Sequence, residues 1–352
     1  MRDQNTEQHI DIHEHTRAAF FADDYEVSIE EPRKSISPIP VIPELGMALG
    51  LLVLVFGVTY VSIPDNFFTK KQTNTEVYTQ LAPLHETPEK IDAYTDTQLT
   101  AHSAIVWDAK NKKVLFEKNA DEALPLASVT KLMTALVAYE LLDPQERVRV
   151  TNHALRAEGD SGLRDGEQFT LENIIDLTLI SSSNDAATAV SAVGGAVISE
   201  TNPSVAFVRA MNIKAEELGL TKTHFENPTG LDISPSKAGA YGSARDIALL
   251  MEHITRTVPE AIALTNVASA RIANNEGVYH LAENTNEYVQ KIDGLIASKT
   301  GYTTLAGGNL AIAFNAGLDR PIVIVVLGST YDDRFSDVLT LVTETQRHLS
   351  ET

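Results

Sequence analysis

Between Leu45 and Ile63 the chain reads LGMALGLLVLVFGVTYVSI, nineteen residues without a charge or a proline. As a helix rising about 1.5 Å per residue, this run reaches across the hydrocarbon layer of a membrane. The sequence therefore predicts one helix through the lipid bilayer over residues 45–63, with separate segments on either side. A cleaved signal peptide fits poorly, because 44 residues precede the run and no small-x-small cleavage site follows it. Charge does not orient the helix: Arg33 and Lys34 stand before it, Lys70 and Lys71 after it.

The flanks differ in character. Residues 1–44 are polar and acidic, with Pro32, Pro38, Pro40 and Pro43, and are expected to form a disordered tail. His9, Asp11, His13 and His15 cluster there, but a flexible cluster lacks the fixed geometry of a specific site, so no metal and no cofactor is expected. Residues 64–100 are rich in Thr, Gln, Glu and Lys and read as a spacer, leaving 101–352 for the folded domain. Apolar residues make up 43% of the chain and charged ones 22%, enough to bury a sizeable core. The net charge of −20 argues against nucleic acid as a partner, since its phosphates repel such a surface. Zero cysteines remove disulfides, thiolate metal sites and a cysteine nucleophile together.

Within the domain, 103–107 and 113–117 are β-prone runs flanking Asp108-Ala-Lys-Asn-Lys112, which predicts a hairpin. Pro125 precedes a helical apolar pattern that carries Ser128 and Lys131 on its first turns. Helical patterns also cover 170–193 and 203–219, two buried strands are expected at 309–314 and 321–328, and an amphipathic helix at 334–348. Strand hairpins at both ends of a helical middle give an α/β or α+β domain.

Ser128-Val-Thr-Lys131 places a hydroxyl and an amine on one helix face. A serine needs a neighbouring base to act as a nucleophile, and a lysine serves when burial or another cation keeps it neutral. Alone the pattern is weak, since about one Ser-x-x-Lys arises by chance in a chain this long. Ser234-Pro-Ser-Lys237 is a second match, in what reads as a loop. Ser182-Ser-Asn184, at the end of the apolar run 174–180, and Lys299-Thr-Gly301, ahead of the strand at 309–314, raise the specificity. The three elements in this order are the signature of penicillin-interacting enzymes.

Pro125-Leu-Ala-Ser128-Val-Thr-Lys-Leu-Met-Thr-Ala, Ser183-Asn-Asp-Ala186, Phe225-Glu-Asn-Pro-Thr-Gly-Leu-Asp232 and Lys299-Thr-Gly-Tyr-Thr303 closely resemble the D-alanyl-D-alanine carboxypeptidases, the low-molecular-mass penicillin-binding proteins. The resemblance spans residues 100–350 and implies a serine β-lactamase/DD-peptidase-like fold. In that fold a five-stranded antiparallel sheet flanked by helices lies beside a mostly helical subdomain, with the active site between them. It implies peptidoglycan stem peptides ending in D-Ala-D-Ala as substrates and β-lactams as covalent inhibitors. By the same resemblance Ser128 would attack the peptide carbonyl, Lys131 would take its proton, Ser182 would relay a proton and Asn184 would orient Lys131 and substrate. Lys299, Thr300, Gly301 and Tyr302 would line the substrate, with Lys299 and Thr300 on its carboxylate and the N–H groups of Ser128 and Tyr302 on the oxyanion. Arg334 either helps to capture the carboxylate or is an exposed arginine at a helix start. Asn227-Pro-Thr-Gly230 reads as a structural turn, and Asp232 and Asp246 as fold-stabilising carboxylates.

Larger members of the family carry a β-rich second domain and a C-terminal anchoring helix, whereas this sequence ends at Thr352. The expectation is that the apolar run at 45–63 supplies the tether instead. Because peptidoglycan lies outside the cytoplasmic membrane, the domain is expected outside and the tail inside. Three other readings remain: an endopeptidase cutting D-alanyl cross-links, a β-lactamase and a non-catalytic wall or β-lactam receptor. Against the β-lactamase, no Glu-x-x-Leu-Asn occurs between Asn184 and Lys299.

Overall fold

The computed structural model describes Tyr94, Thr95 and residues 97–351, Asp160 excepted. The tail expected over 1–44, the membrane helix expected over 45–63 and most of the spacer lie outside the described residues. Among the described residues no helix is long and apolar enough to cross a membrane.

The chain starts with the expected hairpin, β1 (Ser103–Asp108) and β2 (Lys113–Lys118). A short β3 (Leu124–Pro125) leads through a tight helical turn, Ala127–Thr130, into α1 (Lys131–Leu141). The helical region continues with β4 (Arg147–Arg149), β5 (Gln168–Thr170), α2 (Leu171–Ile180), α3 (Asn184–Ile198) and α4 (Pro203–Glu217). After β6 (His224–Phe225), β7 (Ala240–Gly242) and α5 (Ala244–Thr257) comes a ribbon of β8 (Ser269–Ala273) and β9 (Tyr279–Glu283). Three long strands follow, β10 (Leu295–Thr303), β11 (Gly307–Asn315) and β12 (Pro321–Ser329), and α6 (Asp333–Ser350) completes the order.

The main sheet has the order β10-β11-β12-β1-β2 with every neighbour antiparallel, which is the five-stranded sheet that the family resemblance implies. Side chains alternate across a strand, so a strand buried on both faces must be apolar throughout. Ile322-Val-Ile-Val-Val-Leu327 meets that requirement. Ile322, Ile324 and Val326 join Phe314, Val338 and Leu341 in a core beneath α6. Val323, Val325 and Leu327 join Ile247, Leu250 and Met251 of α5 in the larger core that runs into the helical region. Packing extends ahead of Ala101: Tyr94 is buried against Phe116 and His348, its hydroxyl 2.9 Å from Thr345 Oγ1.

In the helical region α1 is buried all round from Lys131 to Ala138, as befits a helix apolar on every side at the centre of a bundle. The helical pattern over 170–193 is two helices. Ser182 takes a left-handed φ of 60°, and the Ser183 hydroxyl restarts the chain by accepting from the Ala186 amide at 3.0 Å. The break falls inside the Ser-x-Asn motif and forms its elbow.

Candidate active site

Ser128 sits where the helical region meets the sheet. Ala127 ahead of it adopts a left-handed φ of 48°, costing about 1 kcal/mol for a residue with a Cβ, and persists only because its surroundings fix it. Asn309 of β11 supplies one tie, donating to the Pro125 carbonyl at 3.0 Å. Two glycines supply the rest. A Cβ on Gly301 would lie 2.8 Å from the Leu126 carbonyl oxygen and 3.1 Å from the Ser128 amide nitrogen. One on Gly230 would lie 1.9 Å from the Ala127 carbonyl oxygen. Edge strand β10 and the Asn227–Gly230 turn therefore press directly on the backbone that presents the half-buried Ser128.

Lys131 is fully buried, and its Nζ donates to Ser128 Oγ (2.8 Å), Asn184 Oδ1 (2.7 Å) and the Thr229 carbonyl (2.9 Å). All three partners are neutral, so nothing offsets the loss of water around the charge. Burial first, and the nearby Lys299 second, push the Lys131 amine well below the usual lysine range. Lys299 is buried as well, donating to Ser182 Oγ and its neighbour's carbonyl, both at 2.9 Å. Burial and then Arg334 bring it down to about 7. A hydroxyl hydrogen-bonded to an amine whose basicity is lowered in this way has what a serine nucleophile requires.

The opposite wall is held by backbone oxygens and hydroxyls. Asn184 Nδ2 donates to the Glu158 carbonyl at 2.6 Å, and Ser161 Oγ lies 2.6 Å from Ser183 Oγ. Thr285 ties the two walls: its amide donates to the Ile180 carbonyl (3.1 Å) and its Oγ1 lies 2.6 Å from Thr300 Oγ1. Arg334 is 3% exposed, which corrects the reading of an exposed helix-start arginine. It folds back from α6, and Nη1 donates to the Gly301 carbonyl at 3.1 Å. Tyr302 is half exposed beside it.

The structure thus brings Ser128, Lys131, Ser182, Asn184, Lys299, Thr300, Gly301, Tyr302 and Arg334 into one cluster. Ser234 and Lys237 stay apart in a loop, with Lys237 paired to Glu226. Asp232 accepts from Thr303 Oγ1 and the Leu305 amide, and Asp246 from the Lys222 amide and Thr223 Oγ1, structural contacts as expected. Sequence reading missed Thr229, whose carbonyl reaches Lys131, because a backbone oxygen carries no residue signature. It missed Glu158, Ser161 and Thr285 for related reasons: their contribution is position. Among the described residues no group of three or more His, Asp or Glu side chains is placed to hold a metal ion.

The chain is similar to known proteins over most of its length. The family model for D-alanyl-D-alanine carboxypeptidases matches residues 89–330, a stretch that holds all three motifs but stops short of Arg334. The chain is 34% identical over 245 residues to D-alanyl-D-alanine carboxypeptidase DacF of Bacillus subtilis, covering 68% of this chain and 60% of that one. It is 31% identical over 247 residues to a D-alanyl-D-alanine endopeptidase of Pseudomonas aeruginosa, covering 68% and 75%. Penicillin-binding protein D2 of Listeria monocytogenes, solved in its ampicillin-bound form, superposes with a TM-score of 0.58 at 27% identity, over 70% of this chain and 97% of that one. With fold, motifs and most of its length in common, the chain belongs to the D-alanyl-D-alanine carboxypeptidase family, the S11 peptidases.

Proposed function

We propose that this protein is a serine-type D-Ala-D-Ala carboxypeptidase that works through an acyl-enzyme on Ser128. The observation that carries the reading is the fully buried Lys131, hydrogen-bonded to Ser128 Oγ and surrounded by neutral oxygens. Ser128 Oγ bonds to the carbonyl carbon of the penultimate D-alanine while its proton passes to Lys131 Nζ. The N–H groups of Ser128 and Tyr302 hold the oxyanion. As the C–N bond breaks, Ser182 gives its proton to the leaving nitrogen and receives in its place the proton that Lys131 took from Ser128, which leaves Lys131 free to act as a base again. Lys299, Thr300 and Arg334 hold the carboxylate of the departing D-alanine. Water then attacks the ester, with Lys131 as base, and restores Ser128.

A β-lactam would enter the same path and remain on Ser128, since no glutamate-bearing deacylation loop follows Asn184. The endopeptidase reading stands beside the first, because the Pseudomonas relative carries that name. Residues 45–63 are proposed to anchor the chain in the cytoplasmic membrane. The tail would lie inside and the folded domain outside, where peptidoglycan is; the support is the apolar run and the substrate class.

The test is to incubate the full chain in detergent with a fluorescent penicillin and to map the adduct by peptide mass, with Ser128→Ala beside it. A lasting adduct on Ser128, absent from the variant, is expected. No adduct with penicillin intact would indicate a receptor, and penicillin consumed without an adduct a β-lactamase. Release of free D-alanine from a tripeptide, compared with cleavage of a cross-linked dimer, separates carboxypeptidase from endopeptidase.

A further inference from the structure

Tyr331 lies between β12 and α6, in no motif, yet it touches the groups that would read a substrate's C-terminus. The Arg334 guanidinium carbon stands 4.3 Å from the Tyr331 ring centroid and 4.6 Å from that of Phe335. The ring also meets Tyr302 edge-on, with centroids 5.1 Å apart and planes at 86°. Arg334 has few hydrogen bonds: Nη1 donates to the Gly301 carbonyl, the Tyr331 side chain is a second partner, and the buried Nε has none. Aromatic faces therefore do much of the work of fixing the guanidinium. Two residues apart on one strand, Thr300 and Tyr302 project to the same face. Tyr302, Tyr331 and Arg334 thus touch in series beside Thr300, and the two tyrosine rings are half exposed.

We infer that Tyr331 is a specificity-determining positioning residue. Its ring holds Arg334 toward a terminal carboxylate. With Tyr302 it also narrows the space beyond the scissile bond, so that one small residue with a free carboxylate is accepted and a cross-linked chain is not. The inference rests on the carboxypeptidase reading and deepens it. A ring that only filled surface space would affect folding and leave the choice of substrate unchanged.

The experiment compares the full wild-type chain with Tyr331→Ala, Tyr331→Leu and Tyr331→Phe. The substrates are an acylated tripeptide ending in D-Ala-D-Ala, its C-terminal amide and a cross-linked muropeptide dimer. For Tyr331→Ala, kcat/KM on the acid should fall about tenfold, chiefly through KM, while the amide changes less than about twofold. The acid-to-amide preference thereby collapses and relative cleavage of the dimer rises. Tyr331→Leu, which keeps apolar bulk without a π face and guards against a folding defect, should behave like alanine; Tyr331→Phe, which keeps the ring and loses only the hydroxyl's hydrogen bond to Arg334, should restore most of the preference. An acid-to-amide ratio unmoved in both the alanine and leucine variants would overturn the inference, as would a phenylalanine variant as impaired as alanine. Absence of a penicillin adduct on wild-type Ser128 would remove the carboxypeptidase reading itself, whatever the variants do.

Discussion

The layer between the sheet and α6 and the site beside β10 both bury large side chains but are made of opposite materials. Beneath α6, Phe314, Ile324, Val338 and Leu341 are fully buried, and each apolar side chain contributes about 1.5–3 kcal/mol to folding. In the site the buried groups are three basic side chains, Lys131, Lys299 and Arg334, which are costly to desolvate. One region stabilises the fold, and the other draws on that stability to hold lysines with depressed basicity in a fixed place. The comparison therefore predicts that stability and activity can be changed separately.

Lys131→Met is the sharpest way to test this. Acylation of Ser128 should fall by at least about a thousandfold, because among the described residues Lys131 is the base hydrogen-bonded to Oγ. The melting temperature should hold or rise, since an apolar side chain of similar volume replaces a buried basic group. Leu341→Ala should do the reverse, costing about 2–5 kcal/mol in urea unfolding while acylation per folded molecule stays as it was. A marked loss of stability in the methionine variant would mean that the site helps to hold the fold.

Gly301→Ala probes the seam between the two regions. Its Cβ would press on the Leu126 carbonyl and the Ser128 amide, both backbone, so the strand and Ser128 must separate. Acylation should drop about a hundredfold, given how steeply reaction depends on placement, with stability lowered by about 1–3 kcal/mol. A fully active alanine variant would show that the Ser128 turn is held elsewhere.

The contrast also explains what could be read in advance. Strand β12 was legible because Ile322–Leu327 is apolar at every position, as a strand covered on both sides requires, whereas β10 carries the polar Ser298-Lys-Thr300 and was not among the expected strands. The motif serines and lysines were legible because their chemistry depends on residue type. Arg334 was ambiguous: Asp332-Asp333-Arg334 has the look of a solvated helix start, and only the tertiary fold turns the guanidinium inward. The left-handed backbone at Ala127 had no signal, since alanine does not advertise that conformation. Helix α5 lies outside the expected helices although Ile247, Leu250, Met251 and Ile254 recur at helical spacing; its period was present and unused.

The buried lysines should also show in the pH dependence of stability. Lys299 is brought down to about 7 in the folded chain and has the ordinary value of 10.5 when unfolded. Between those values the unfolded chain holds a proton that the folded one lacks, so stability rises with pH across the window and is flat below it. Lys131 acts with the same sign. Lys299→Met should reduce the slope of unfolding free energy between about pH 7.5 and 9.5 by about 1 kcal/mol per pH unit. An unchanged slope would mean that Lys299 keeps its proton when folded.

The smallest expected effect lies at the elbow between α2 and α3. Ser183 is buried, and its Oγ both accepts from the Ala186 amide and meets Ser161. Ser183→Ala removes the cap and should cost about 1 kcal/mol, a shift of about 2–4 °C in Tm for a domain of this size. Its neighbours are the motif residues, Ser182 in its left-handed conformation and Asn184 on Lys131, so acylation should also slow, by no more than about fivefold. Ser183→Thr, which keeps the accepting oxygen, should lose less of both. If Ser183→Ala instead lost as much acylation as Lys131→Met, the elbow would be part of the chemistry rather than its support. The boundary between the stabilising region and the reacting one would then fall one residue nearer the core.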